Sequence, residues 1–312
     1  MSVGKIMKIP HLIPYQGSKR QMAKHILPLL PRDTHTLIEP FAGSAALSIA
    51  AASNGMASRF HLNDLNAPLM ALWQKIIHHP SELSEQYRCL WQDQSGRERA
   101  FYDQVRSEFN QQHDPAHLLY LLARCVKASV RYNAKGEFNQ SPDNRRRGRH
   151  PDEMAEDIQR VSNLLRDRTI LTSLGYVEIL QFASDHDLVY LDPPYQGVSS
   201  SGDPRYYSSI KFDELVQALY QLNTRQIAFM LSYDGRTGQR VHGQELPDDL
   251  ALARLELNAG RSSQSTLLGG DEITYESLYI SQNLLYRLGM DREQLTEYAA
   301  NISHKQLLLP FS

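Results

Sequence analysis

The chain has 312 residues, 41% of them hydrophobic, with 33 Lys and Arg against 35 Asp and Glu and a formal net charge of -2. That length can bury a sizeable core, as one large domain or as a core with an insert, and no apolar run is long enough to cross a bilayer. Its two cysteines, Cys89 and Cys125, lie far apart, which excludes a cysteine zinc cluster and argues against a disulfide framework. The N-terminus lacks the basic and apolar segments of a secretory leader, so cytoplasmic residence is the expectation. In a nearly neutral chain, any local concentration of basic residues becomes informative.

The first element that reads clearly is the apolar run Thr36-Leu37-Ile38-Glu39, which ends in the turn Pro40-Phe41-Ala42-Gly43. An Ala-rich helix follows over 45–52 and closes at Asn54-Gly55. Phe60-His61-Leu62-Asn63-Asp64 is a second strand ending in polar residues. Strand, glycine turn, helix, strand and acid open a doubly wound nucleotide-binding sheet. Residues 97–111 and 115–130 then carry apolar positions at helical spacing. Pro151 starts a third helix, with Met154, Ile158, Val161 and Leu165 on one face. Strand character returns at 169–176 and again at 187–191, which runs straight into Asp192. A further strand at 226–231 is expected to end at Ser232-Tyr233-Asp234-Gly235. The runs 252–257 and 275–280 read as a closing hairpin. The predicted organisation is a discontinuous α/β domain over 1–75 and 168–290, a helical insert over 76–167, and a C-terminal tail over 291–312.

Asp192-Pro193-Pro194-Tyr195 carries the most chemistry. An exocyclic ring amine is a poor nucleophile because its lone pair is delocalised. A carboxylate at Asp192 and the Pro193 carbonyl would accept its hydrogens and return electron density to nitrogen. The two prolines hold that carbonyl in place beforehand. Tyr195 suits stacking on a base lifted out of its duplex. Ligands of open α/β sheets bind beyond the carboxyl ends of the strands, which is where Gly43, Asp64 and Asp192 all fall. Gly43 would let the backbone approach a ligand, and the two Asp64 oxygens match a ribose diol. Taken singly, Gly43 could be only a turn and Asp64 only a helix cap before Pro68.

Together these segments resemble the Dam-type (D12) class of adenine-N6 DNA methyltransferases. Tyr15-Gln16-Gly17-Ser18-Lys19 resembles the N-terminal aromatic-x-Gly-x-Lys element of that class. Ile38-Glu39-Pro40-Phe41-Ala42-Gly43-Ser44 resembles its cofactor loop, Asn63-Asp64-Leu65-Asn66 its ribose acid, and Asp192 to Tyr195 its catalytic motif. The resemblance implies a Rossmann-like class I methyltransferase mixed sheet with a helical target-recognition insert. It implies S-adenosyl-L-methionine bordered by Tyr15, Lys19, Glu39, Phe41, Gly43, Asp64 and Asp192. It also implies a flipped adenine held by Asp192, Pro193 and Tyr195, with double-stranded DNA as the partner. The class includes enzymes that accompany a restriction endonuclease or another defence partner, and its setting is bacterial or phage-type cytoplasm.

A fifth match, Arg131-Tyr132-Asn133-Ala134-Lys135-Gly136-Glu137-Phe138-Asn139, lies in the insert. By itself it reads as a tight hairpin turn. It leads into Asn144-Arg145-Arg146-Arg147-Gly148-Arg149-His150, and from Arg131 to His150 there are six Lys or Arg against two acids. Arg131, Asn133, Lys135, Asn139, Arg145, Arg146, Arg147 and Arg149 are therefore the expected DNA contacts, mostly to phosphate with one Arg on a guanine edge. The loop 199–207, rich in Ser and Gly with Arg205, Tyr206 and Tyr207, is a further candidate, and Tyr207 and Phe212 match a Tyr and Phe of the class.

Two positions depart from the class. Ala45 stands where a second loop glycine is common, a change expected to do little harm. Leu174-Gly175-Tyr176 stands where an acid commonly meets the cofactor's adenine amine, with Glu178 nearby but its register unassigned, so the expectation is either a lower cofactor affinity or a ring held by backbone groups. Cytosine C5 methylation fails for want of a Pro-Cys nucleophile, since Cys89 and Cys125 each follow Arg. A nicotinamide enzyme fails because Gly43 lacks the Gly-x-Gly-x-x-Gly pattern. Cytosine N4 or RNA amine methylation, and a non-catalytic DNA-binding module on the same fold, are the remaining alternatives.

Overall fold

The structure is a computed structural model that describes residues 9–15, 18–126, 130–194, 210–237, 240–261 and 273–307. Strands β1 (Thr36–Glu39), β2 (Arg59–Asn63), β3 (Thr169–Thr172), β4 (Leu188–Leu191) and β5 (Ala228–Thr237) pair in parallel in the order β3-β2-β1-β4-β5. Beyond β5 the sheet continues antiparallel through β8 (Ile273–Ile280) to β7 (Ala253–Arg261), and β6 (Arg240–His242) pairs with the far end of β5. This is a mixed, Rossmann-like α/β sheet. Its strand order reverses between β1 and β4, where open sheets form a crevice at their carboxyl ends.

A sheet buried on both faces needs apolar residues of both phases, and the strands supply them. Leu37, Leu188, Tyr190 and Met230 enter one core, with Met22 and Ile26 of α1 (Arg20–Ile26) and Leu47 and Ile49 of α2 (Ala46–Ser53). Ile38, Val189, Leu191, Phe229 and Leu231 enter the other, with Ile179 of α8 (Tyr176–Leu180) and Leu215 and Leu219 of α9 (Phe212–Thr224).

Between β2 and β3 the chain forms α3 (Ala67–His78), α4 (Pro80–Asp93), α5 (Glu98–Gln112), α6 (Pro115–Arg124) and α7 (Pro151–Leu165). All four apolar positions expected on one face of α7 are fully buried. The sequence boundary at 76 falls within α3, whose buried Trp73, Ile76 and Ile77 belong to the same core as the first sheet face. The helix expected over 115–130 stops at Arg124. Cys125 is extended at ψ 156 and bridges Pro142, and the Val126 N–H donates to the Ser141 carbonyl at 3.0 Å. Bonds to a distant segment here replace the next helical turn.

The strand expected to end over 232–235 instead runs to Thr237. A bulge between Ser232 and Gly235 absorbs the register shift, because β8 continues alongside as a partner. A Cβ on Gly235 would lie 2.5 Å from the Tyr275 carbonyl oxygen, so only glycine allows the strands this close. The expected tail over 291–312 contains a helix, Arg292–Leu307, docked through buried Leu295 and through Tyr298, whose hydroxyl donates to the His25 carbonyl at 2.9 Å.

Helix α3 also braces the loop after β1, since the buried Trp73 indole N–H donates to the Gly43 carbonyl at 2.9 Å. Trp73→Phe is expected to lower stability by about 2 kcal/mol, from the orphaned carbonyl and the lost volume. Urea unfolding midpoints check this, and an unchanged midpoint would remove the brace from the account.

Candidate active site

The carboxyl ends of β1, β2 and β4 open into a cavity of about 340 Å³. Tyr15, Lys19, Glu39, Phe41, Gly43, Asp64, Asp192 and Pro193 all line it, so residues read separately along the sequence converge on one space. Tyr195, Gln16 and Gly17 lie outside the described residues, as does the loop 199–207.

The loop after β1 is shaped by two left-handed residues, Gly43 at φ 48 and Ala45 at φ 47. A Cβ on Gly43 would press on the Tyr15 ring at 3.3 Å. Ala45 is the position expected to tolerate the missing glycine. Its left-handed backbone costs an L-residue about 1–2 kcal/mol, so the replacement carries strain. Glu39, the last residue of β1, accepts the Ser48 N–H at 2.8 Å and so satisfies a donor in the first turn of α2. Its burial raises the carboxyl to about 7. The Ser48 contact opposes that rise, and the charge of Asp192 adds to it.

Asp64 does not cap α3. Asn66 does, accepting the Leu69 N–H, while Asp64 takes the Gly43 N–H on Oδ2 and the Asn66 N–H on Oδ1, each at 3.0 Å. Burial raises its carboxyl, and those two hydrogen bonds pull it back. Asp64 is thereby fixed with its carboxylate at the cavity wall.

Asp192 follows β4 directly. Its Oδ1 lies 2.9 Å from the Lys19 ammonium. Burial pushes its carboxyl up to about 6, against the pull of Lys19 and with the help of Glu276. Lys19 also meets Glu276 of β8 at 2.9 Å.

The wall at Leu174-Gly175-Tyr176 is largely apolar, with Leu174, Tyr176 and Val177 lining the cavity and the Phe41 and Tyr176 ring centroids 5.2 Å apart. Glu178 turns away to its own helix start, accepting the Gly175 N–H. The Leu174 N–H and carbonyl are both bonded to the Asn63 amide. The backbone polar groups at 174 and the N–H at 175 are therefore already satisfied within the protein.

The matched segment of the insert is a hairpin, as its turn residues imply. Tyr132 bridges Phe138, and Asn133 Oδ1 accepts the Lys135 and Glu137 N–H groups. Asn110 bonds both backbone groups of Phe138. Tyr132 turns inward to line the cavity and hydrogen-bonds Asn66, while Arg131, Lys135 and Asn139 are exposed. Among the following arginines, Arg145 and Arg146 are exposed and share Asp143. Arg147 pairs with Glu98 at 2.9 Å. Arg149 is half-buried between Asp157, at 2.7 Å, and the His11 carbonyl, which gives it a structural job.

The model of the D12 class N6 adenine-specific DNA methyltransferase family matches residues 15–256. The chain belongs to this family. It is 25% identical to type II methyltransferase M1.LlaDCHI of Lactococcus lactis subsp. cremoris over 272 residues, 82% of this chain and 90% of that one. It is 26% identical to the DNA adenine methylase of Escherichia coli (strain K12) over 205 residues, 64% of this chain and 70% of that one. Modification methylase StsI of Streptococcus sanguinis is 24% identical over 286 residues, 87% of this chain but 43% of that protein. The D12 enzyme described here is thus a site-specific adenine-N6 DNA methyltransferase, and its family requires a methyl donor.

Sequence reasoning did not assign Asn63, Tyr132 or Glu276 their places in this D12 site. Glu276 carried one usable signal. It is an acid in phase with Leu278 and Ile280 on an alternating strand, and so on a core-facing side. Asn63 carried none, because its partners at Pro40 and Leu174 are distant in sequence.

Glu39 also makes stability depend on pH. Its folded carboxyl, near 7, lies above its ordinary 4.5, so the folded chain binds the extra proton between those values and loses stability as pH rises through them. Glu39→Gln keeps the acceptor oxygen without the charge. Its stability relative to wild type is expected to improve by on the order of 1–3 kcal/mol between pH 5 and pH 8. Melting curves across that range check it, and a gap that does not vary with pH contradicts it.

Proposed function

We propose that the enzyme transfers the methyl group of S-adenosyl-L-methionine to N6 of an adenine flipped out of double-stranded DNA, in bacterial or phage-type cytoplasm. The observation that carries this reading is Asp192-Pro193 at the carboxyl end of β4, in the same cavity as Gly43 and Asp64. The cavity's donor set fits the donor molecule. Asp64 offers its carboxylate to the ribose hydroxyls, Gly43 permits close backbone approach, and Phe41, Leu174 and Tyr176 give a flat apolar bed for the adenine ring. Tyr15, Lys19 and Glu39 border the amino-acid end. An apolar bed explains how the site does without an acid near Leu174, because ring stacking replaces a directed hydrogen bond.

When bound, S-adenosyl-L-methionine supplies a methyl group on a sulfonium. The protein's part is placement and charge. Asp192 and the Pro193 carbonyl accept the hydrogens of N6, which localises the lone pair on nitrogen. Asp192 stands where the proton shed by the methylated nitrogen first goes. Tyr195 stacks on the flipped base. Holding nitrogen and methyl in line supplies much of the remaining acceleration. Arg131, Asn133, Lys135 and Asn139 present the recognition hairpin to DNA, and Arg145, Arg146 and Arg147 follow the phosphates. The type II name of the Lactococcus relative makes a restriction endonuclease of the same specificity the partner to seek.

Asp192→Ala is expected to lower transfer by at least about 10²-fold while DNA binding and melting temperature persist. Labelled cofactor with mixed DNA and RNA, followed by nucleoside analysis, checks this. Near-normal N6-methyladenine from the variant would remove Asp192 from the mechanism, and N4-methylcytosine or labelled RNA would redirect the substrate. For DNA affinity, Arg145→Ala and Arg146→Ala are each expected to reduce the salt slope by about 1. Arg149→Ala should lower the melting temperature instead. Equal salt slopes before and after the first two changes would place the phosphates elsewhere.

A further inference from the structure

The Lys19 ammonium stands between two carboxylates, Asp192 Oδ1 and Glu276 Oε2, each at 2.9 Å. Lys19 is 6% exposed, and the two acids are 21% and 20% exposed. One cation between two anions leaves the cluster with net negative charge, whereas a Lys19–Asp192 pair alone would be neutral. Glu39 from β1 and Glu214 from α9 line the same cavity, and the charge of Asp192 helps to raise the Glu39 carboxyl.

The fold brings Glu276 here by two devices. Strand alternation points it to the face of Leu278 and Ile280, the side on which α1 packs. The bulge in β5 sets Gly235 opposite Glu276, and the missing side chain lets the strands close up. Glu276 belongs to none of the motifs that carry the family resemblance.

A carboxylate that must accept hydrogens from a weakly nucleophilic amine is impaired when an ammonium sits on it undivided. We propose that Glu276 is a positioning residue for methyl transfer: it shares the Lys19 ammonium with Asp192 and keeps Asp192 an electron-rich acceptor for the target amine. This rests on the role given to Asp192 in the preceding subsection. The electrostatics run in the same direction, since Glu276 raises the Asp192 carboxyl and Lys19 lowers it.

The test uses the full chain with Glu276→Gln, with Glu276→Ala as a second neutral variant should the amide not fold. Loss of the Glu276 charge lets Asp192 ionise at lower pH. The acid limb of the kcat/KM profile is therefore expected to move down by about half a pH unit or more. The kcat on the plateau should fall roughly tenfold, as when a partner of a reacting group is lost. Cofactor affinity, from fluorescence quenching, and DNA affinity should stay within about twofold, since neither is held directly by Glu276. Glu276→Asp keeps the charge and is expected to retain the wild-type acid limb and recover most of the rate. A folded neutral variant with wild-type kcat and an unmoved acid limb overturns the proposal, as does a Glu276→Asp variant that behaves like the neutral one. Asp192→Ala separates the two readings. If that variant transfers normally, the Asp192 role fails first. If it is inactive while the neutral Glu276 variants are unchanged, only the present inference falls.

Discussion

The site depends on one buried amide. Asn63 closes β2, and its Nδ2 donates to the Pro40 carbonyl at 2.9 Å and to the Leu174 carbonyl at 3.0 Å. Its Oδ1 accepts the Leu174 N–H at 2.9 Å and the Thr172 hydroxyl at 2.8 Å. Each polar atom of this 1% exposed side chain is thus satisfied, and the end of β2 is joined to the end of β3 and to the loops that follow β1 and β3. A parallel sheet fixes strands well but leaves the loops beyond them to find their own constraints. Asn63 supplies those constraints where a ligand has to be gripped.

From that anchor the charge arrangement follows. The loop after β1 presents the backbone of Gly43 to Asp64, and β1 itself delivers Glu39 to the start of α2. The loop after β4 presents Asp192 to Lys19. Several carboxylates then face one cavity with a single paired ammonium among the described side chains that line it. Burial holds Glu39, Asp64 and Asp192 above their ordinary ionisation range. Carboxylates shifted by burial and gathered in one cleft are a mark of a functional site.

The helices between β2 and β3 are physically continuous with this site. Trp73 of α3 holds the Gly43 carbonyl, and Tyr132 of the 131–139 hairpin meets Asn66, the cap of the same helix. The loop after β1, the start of α3 and the 131–139 hairpin are therefore braced against one another, and Asp64 joins them through the Gly43 N–H. The basic residues after the hairpin differ in how deeply the protein holds them. Arg149 ties the N-terminal segment to α7, and Arg147 pairs with Glu98, leaving Arg145 and Arg146 the more exposed pair.

The sequence by itself determined the strand–turn–helix opening, the core face of α7, the closing hairpin and the set of Gly43, Asp64 and Asp192. Each of these is written in local terms, as apolar periodicity or as a short motif whose chemistry is carried by adjacent residues. It also placed the resemblance to the D12 class on motifs that the family match over 15–256 spans. Tertiary structure alone decided where α6 stops, how far β5 runs, that the last 20 or so residues contain a docked helix, and that Ala45 is left-handed. It also decided the partners of Asn63, Tyr132 and Glu276. The physical reason is common to all of these. A helix end, a bulge and a buried ion pair are each settled by a neighbour remote in sequence, and no local pattern records which neighbour that will be.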